Sequence, residues 1–122
     1  MTQPARRIEY RPLDDLKPNP ANPKAHDVET IDGSVSRFGY IDGVIVDERT
    51  GYLISGHGRH KTLQEMRQRG ESPPDGVQVD DAGAWLVPVQ SGWSSRTDAE
   101  AKAALIALNR TTELGGWVDE SL

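Results

Sequence analysis

The chain has 122 residues, a length that suits one domain with a single hydrophobic core. Its formal net charge of -5 argues against a protein that covers nucleic acid with its whole surface, because such domains are usually basic. The absence of cysteine excludes disulfides, thiolate metal sites and cysteine nucleophiles, and it fits a cytoplasmic protein. No secretion signal and no apolar run of roughly 18 residues is present, so no membrane partner is expected.

The N-terminal part predicts a short arm, a strand and a loop. Residues 1–7 are expected to form a flexible arm, and residues 8–122 one domain. Residues 8–10 alternate in polarity and predict a first strand, which Pro12 ends. The prolines and asparagines of residues 17–24 predict an extended surface loop. This loop is either a simple connection or an edge that holds Asn22 or Lys24 beside a ligand.

A helix and a β-hairpin are predicted next. Residues 27–38 carry apolar side chains at helical spacing, and Gly39 is placed to end the helix. The predicted core face of this helix consists of Val28, Ile31, Val35 and Phe38. Residues 43–46 are rich in β-branched side chains, and residues 52–54 follow after a polar turn. The two segments therefore predict the strands of a hairpin.

The remaining elements are a helix, two strands and a last helix. The helix is predicted over residues 60–69, and a short edge strand over residues 77–79. Residues 85–89 predict a further strand, which Pro88 would place at a sheet edge or near its own end. Residues 101–108 are alanine-rich and predict a helix, which a capping box begins at Thr97 and Glu100. This order predicts a small mixed α+β domain rather than a doubly wound parallel sheet.

Residues 55–61, from Ser55 to Lys61, have the composition of an anion-binding turn, and they are called the 55–61 turn below. The turn joins an apolar strand to a helix, whose first amides and dipole attract negative charge. Gly56 and Gly58 tolerate positive φ and allow a ligand close to the backbone. The side chains that can add positive charge are His57, Arg59, His60 and Lys61. A tight turn that only carries surface cations is the alternative.

Other common kinds of site fit the sequence poorly. The 55–61 turn lacks the spacing of a Walker A loop, and no second βαβ unit follows it as in a Rossmann domain. His57 and His60 could share a metal, but a third ligand is not obvious because His26 is distant in sequence. Ser55 lacks the flanking glycines of a nucleophile elbow.

Four segments, in this order, resemble sequence boxes of the ParB/sulfiredoxin-like superfamily. Residues 13–23 are similar to its leucine, proline and asparagine opening box, and residues 30–40 to its helix ending in Phe-Gly. Residues 54–59, Ile-Ser-Gly-His-Gly-Arg, resemble its signature turn. Residues 108–117 resemble the Asn-Arg, Glu-Leu and Trp segment of ParB-like nuclease domains of the phage or methyltransferase-linked type. The resemblance covers residues 8–120 and implies the superfamily's α+β fold.

The resemblance implies a domain that binds a nucleoside triphosphate, ATP or CTP, with Mg²⁺ at the 55–61 turn. Position by position, the phosphates would be held by Gly56, His57, Gly58 and Arg59. His60 stands where partition proteins have a second arginine, and Lys61 matches no superfamily position but can add a point charge. Asn109 and Glu113 would orient the Mg²⁺ ion or a base; the alternative is that both residues cap the helix end and face solvent. A DNA-associated role is implied, with DNA and a second copy of the chain left open as partners.

Two other functions are compatible with the same residues. A metal-dependent nuclease or a phosphotransferase could use His57 as general base and Arg59 to stabilise developing phosphoryl charge. The other possible function is that of a degenerate domain that serves only for interactions. Sulfiredoxin activity is excluded, because His57 occupies the position of its essential cysteine.

Overall fold

The computed structural model describes residues 5–22, 28–40 and 43–108. Within these ranges the chain forms five strands, three helices and a short 3₁₀ turn. In chain order these are β1 (Arg7–Pro12), the 3₁₀ turn (Leu13–Asp15), α1 (Val28–Phe38), β2 (Val44–Val46), β3 (Leu53–Ser55), α2 (His57–Gln68), β4 (Gln78–Val79), β5 (Trp85–Ser91) and α3 (98–108). No helix of these ranges has the length and apolar character that a membrane span requires.

The strands form one mixed sheet in the order β1-β5-β2-β3, with β4 also paired to β5. β1 runs antiparallel to β5, β4 runs antiparallel to β5, and β2 and β3 form the predicted hairpin. β2 and β5 are the parallel pair, because the chain crosses over between them through α2. The predicted α+β class with a small mixed sheet is therefore confirmed.

The main core lies between one face of the sheet and the helices α1 and α2. It is built from apolar side chains that are at most 9% exposed: Leu13, Leu16, Val35, Tyr40, Val44, Val46, Leu53, Leu63, Met66, Val77, Trp85, Val87 and Val89. The opposite face of the sheet packs against α3, whose Leu105 is fully buried. Between Ile45 and Ile54 of that face and Ala104 of α3 lies a cavity of about 360 Å³. The fold thus has three layers, with the sheet in the middle.

The position of β5 corrects the expectation drawn from Pro88. β5 is central in the sheet rather than at its edge, since β1 pairs along one side and two strands pair along the other. On that second side β4 pairs with Trp85 and Leu86, whereas β2 pairs with Val89 and Gln90. Pro88 falls between these two ladders, so its missing amide interrupts neither of them.

Two helix predictions are also corrected. α2 begins at His57 rather than at residue 60, so most of the 55–61 turn is already the first turn of the helix. Phe38 is 57% exposed and does not belong to the core face of α1, because it is the last residue of that helix. The predicted end of α1 is confirmed: Gly39 follows the helix with φ of 82°, and its amide donates to the Val35 carbonyl.

A buried carboxylate fixes the β2–β3 hairpin to the segment that leads into α3. Asp47 is inaccessible to solvent and accepts hydrogen bonds from the Ser95 hydroxyl at 2.6 Å and the Ser95 amide at 2.9 Å. Burial by itself raises the pKa of Asp47, but these bonds and one from the Arg49 amide outweigh it, so the pKa is lowered. The Arg49 guanidinium also donates to Ser95 Oγ and pairs with Asp98. This network holds the hairpin from which the chain enters the 55–61 turn.

Candidate functional site

The 55–61 turn is the N-terminal end of α2, held in place by a left-handed glycine. Gly56 has φ of 88° and acts as the N-cap, and its carbonyl accepts the His60 amide at 2.9 Å. The amides of a helix's first turn have no carbonyl to bond within the helix, and the dipole gives that end positive character. No acidic residue lies in the first turn of α2 to offset this charge. The predicted arrangement of strand, glycine and helix start is therefore present.

Gly56 is required by the packing of the helix start against β2. A Cβ at this position would lie 2.9 Å from both Cα and Cγ2 of Val44. Real Cβ atoms essentially never come this close to a neighbour, so a side chain at residue 56 would push α2 and β2 apart. The glycine thus brings the first amides of α2 to the end of the sheet.

His57 is fastened to the loop before α1. The ring is 6% exposed, and its Nε2 accepts the Asn19 amide at 3.0 Å. An imidazole whose Nε2 accepts a hydrogen bond is neutral and carries its proton on Nδ1. Its one free lone pair is then occupied, so it is not available to take a proton from water or a hydroxyl. In this geometry the ring positions the loop before α1, and the role of His57 as general base of a nuclease or phosphotransferase stays a prediction.

The Asn19 contact is a part of the site that sequence reasoning missed. The loop interpretation named Asn22 and Lys24; Lys24 lies outside the described residues, whereas the Asn22 amide donates to the Asn19 carbonyl at 3.0 Å. The Asn19 side chain in turn accepts the Ala21 amide at 2.9 Å. An asparagine between two prolines is a local signal for such a turn. Its contact with a residue 38 positions away is not visible in the sequence.

His60 faces the interior of the domain. It is 2% exposed, and burial lowers the pKa of the ring, against hydrogen bonding to the backbone of Leu13 and Leu16 and the charge of Asp14. The ring is therefore neutral near pH 7 and lies away from solvent. Of the six residues expected to contact phosphate, this one is the least suited to do so.

The other expected phosphate ligands lie at graded depths in the first turn of α2. Gly58 is buried, Arg59 is half-buried, and Lys61 is exposed. Residues two apart on a helix do not face each other, so the side chains of Arg59 and Lys61 leave the helix in different directions. The backbone of the turn and Arg59 form the centre of the candidate site, with Lys61 at its rim.

The expected Mg²⁺ ligands Asn109 and Glu113 lie outside the described residues. Within residues 5–22, 28–40 and 43–108, no group of three histidine, aspartate or glutamate side chains is placed to hold a metal ion.

The fold and the helix-start site together define a class of protein. The chain is similar to the solved structure of a Pnob8-like ParB-N domain, with a TM-score of 0.50 at 17% sequence identity. The similarity covers 85% of this chain and 36% of the solved chain, so the chain spans about a third of that protein. The three-layer arrangement around the mixed sheet is thus the ParB-N fold.

Sequence similarity identifies the family. The chain is 39% identical over 64 residues to the ParB-like nuclease domain-containing protein YnaK of Escherichia coli (strain K12). This match covers 50% of the chain and 72% of the relative. No family model matches the chain. The relative is nevertheless similar enough, over enough of its length, that the chain belongs to the ParB-like nuclease domain family, and the resemblance drawn from the sequence is confirmed.

Proposed function

We propose that the 55–61 turn binds the phosphates of a nucleoside triphosphate, ATP or CTP, in a DNA-associated protein. One observation carries the proposal: the helix start that follows the left-handed Gly56 has cationic side chains and no acidic residue. A polyphosphate would accept hydrogen bonds from the amides of the first turn and from the Arg59 guanidinium. Lys61 would contribute a screened point charge at the rim.

The side chains proposed as metal ligands are of types that fit a nucleotide complex with Mg²⁺. Asn109 and Glu113 are the proposed oxygen ligands, and carboxylate and carboxamide oxygens are ligand types that this ion accepts. Mg²⁺, when bound, would neutralise part of the phosphate charge. The turn itself has no carboxylate, so its own contribution is to bind and orient the phosphates.

The contact between His57 and Asn19 favours binding over catalysis by His57. Because Nε2 of His57 accepts a backbone amide, the ring orders the loop that borders the turn. The word nuclease in the name of the YnaK relative makes phosphodiester hydrolysis the second candidate. In that reaction Arg59 could stabilise phosphoryl charge, and His57 could act as the base only if its Nε2 released the Asn19 amide.

Calorimetric titration with ATP, CTP, GTP and inorganic tripolyphosphate, each with and without Mg²⁺, tests the proposal. Arg59→Gln should weaken binding by about 10- to 100-fold, because a charge-assisted hydrogen bond contributes about 1.5–3 kcal/mol. Lys102→Gln is the matched control, since Lys102 is an exposed cation on α3 and its loss should leave affinity unchanged. Absence of binding heat with all four ligands by the folded wild-type protein would refute triphosphate binding and leave the nuclease and the interaction domain as the remaining hypotheses.

Nuclease and NTPase assays address the second candidate. His57→Gln keeps a polar side chain at the position and should leave any hydrolysis rate within a few-fold of wild type. A rate that falls by about 100-fold or more in this variant would assign His57 the role of general base. DNA binding measured with and without nucleotide tests the DNA-associated role. The net charge of -5 predicts weak binding to long DNA.

A further inference from the structure

The sheet has an exposed edge at β1. Among the described residues β1 pairs only with β5, so its other side carries backbone groups that face away from the sheet. At the opposite end β3 is covered by the loop before α1, through a bridge between Lys17 and Tyr52 and a 2.9 Å hydrogen bond from the Leu53 amide to the Lys17 carbonyl. Among the described strands that are longer than two residues, β1 is therefore the one whose edge is open.

β1 also presents apolar side chains to solvent. Ile8 is 66% exposed and Tyr10 is 45% exposed, and they lie on the same face of the strand because side chains alternate. Opposite them in β5 are Gln90 and Pro88, on the face that does not contribute to the main core. An edge strand with exposed apolar side chains is a template for pairing with another strand.

We propose that β1 pairs antiparallel with β1 of a second copy of this chain, about a twofold axis that passes through Tyr10. This register sets each Glu9 opposite the partner's Arg11, and each Ile8 opposite the partner's Pro12. Both strands keep their apolar side chains on one face and their charges on the other, so the two sheets continue into one. The contact uses the same edge of both copies and therefore closes at a dimer.

The charges of β1 select this register over its neighbours. An axis through Glu9 would place Glu9 against itself and Arg7 against the partner's Arg11, and like charges directly opposite are destabilising. An axis through Ile8 would also pair unlike charges, but it leaves only the first half of the strand Arg7–Pro12 paired. The axis through Tyr10 pairs five residues of each strand and sets unlike charges opposite each other.

The contact is small, because one six-residue strand from each copy contributes its edge and two apolar side chains. Stable interfaces bury at least about 1,000 Å², so the dimer belongs to the weak, concentration-dependent class. Sedimentation velocity should show a monomer at about 10 µM and a growing dimer fraction towards about 1 mM, the range of a contact between about 4 and 7 kcal/mol.

Ile8→Lys tests the surface. It places a cation on the apolar face without touching the core, and it should raise the dimer dissociation constant about tenfold or more. Ile106→Lys, on α3, is the control at a similarly exposed apolar position and should leave dimerisation unchanged. Thermal unfolding of both variants verifies that they fold. A wild-type chain that stays monomeric to about 1 mM, or a dimer that Ile8→Lys does not weaken, would overturn the proposal.

Cross-linking tests the register, because the chain has no cysteine of its own. Directly opposed residues of an antiparallel pair have Cα atoms about 4.5–5.5 Å apart, within the range that a disulfide spans. Tyr10→Cys should therefore form a covalent dimer under mild oxidation. Phe38→Cys, an exposed position on α1, gives the background rate. Efficient cross-linking through Ile8→Cys but not Tyr10→Cys, or no excess of Tyr10→Cys over the background, would refute this register.

Discussion

Replacement of Gly56 by alanine tests how the helix start is placed against the sheet. The backbone there has φ of 88°, which costs a residue with a side chain about 1–2 kcal/mol. The new Cβ would also lie 2.9 Å from the Val44 backbone, and relieving such overpacking typically costs about 1–3 kcal/mol. Together the two terms predict a loss of about 2–5 kcal/mol, a large part of the roughly 5–15 kcal/mol of a typical domain.

Gly51→Ala separates the two terms. Gly51 has a similar φ of 77°, but a Cβ there meets no atom within 4 Å. The Gly51 variant should therefore lose only the conformational term of about 1–2 kcal/mol. Urea denaturation gives the measurement, and at a slope of about 1–3 kcal/mol per molar an excess loss of about 2 kcal/mol separates the two midpoints by about 0.7–2 M. Equal midpoints for the two variants would refute the reasoning from close approach.

Three further predictions concern the buried polar groups. His57→Phe should speed hydrogen exchange of the Asn19 amide and cost about 1–3 kcal/mol, since the amide loses its acceptor; an unchanged exchange rate by NMR would contradict the contact. The folded-state pKa of His60 lies below its ordinary value of 6.5, so the unfolded chain binds more protons and stability should fall as pH drops below about 6.5. His60→Gln should flatten that part of the profile in urea midpoints measured from about pH 7.5 to 5, and an identical slope would count against it. Asp47→Asn should cost about 2–3 kcal/mol at pH 7, because charge-assisted bonds to Ser95 are lost. The pKa of Asp47 is lowered, so this stabilisation is complete above the ordinary pKa of 3.8 and is lost as the pH falls through the folded-state pKa. An Asp47→Asn variant that is as stable as wild type at pH 7 would refute the role of the network.

Local features of the fold follow from the sequence because they depend on residues a few positions apart. Gly39, the predicted end of α1, has the left-handed conformation, and Gly70 has it shortly after α2. Thr97 Oγ1 accepts the Glu100 amide at 3.1 Å, which is one half of the predicted capping box, and the Glu100 carboxylate accepts the Arg96 amide at 2.9 Å. The hairpin between β2 and β3 joins neighbouring segments through a short turn. Each of these interactions is completed within the segment that encodes it.

The sequence also identified the family, through segments whose order and spacing are preserved along the chain. The resemblance to ParB-like domains rested on four such segments, and both the fold and the YnaK relative agree with it. Phosphate binding by the 55–61 turn remains a proposal. The residue types of the turn could not show how deeply each side chain is buried, because burial depends on what packs over the turn.

By itself, the sequence determined the composition of the helix start at the 55–61 turn and the glycine that precedes it. The tertiary structure decided which of its side chains face solvent. His57 is held by the Asn19 amide of the loop of residues 17–22, and His60 is buried and neutral beside the backbone of Leu13 and Leu16. It also decided that β5 is central, since a strand's partners are set by where the sheet and helices bury apolar area together. Such contacts join residues dozens of positions apart, and no local pattern of residue types specifies them.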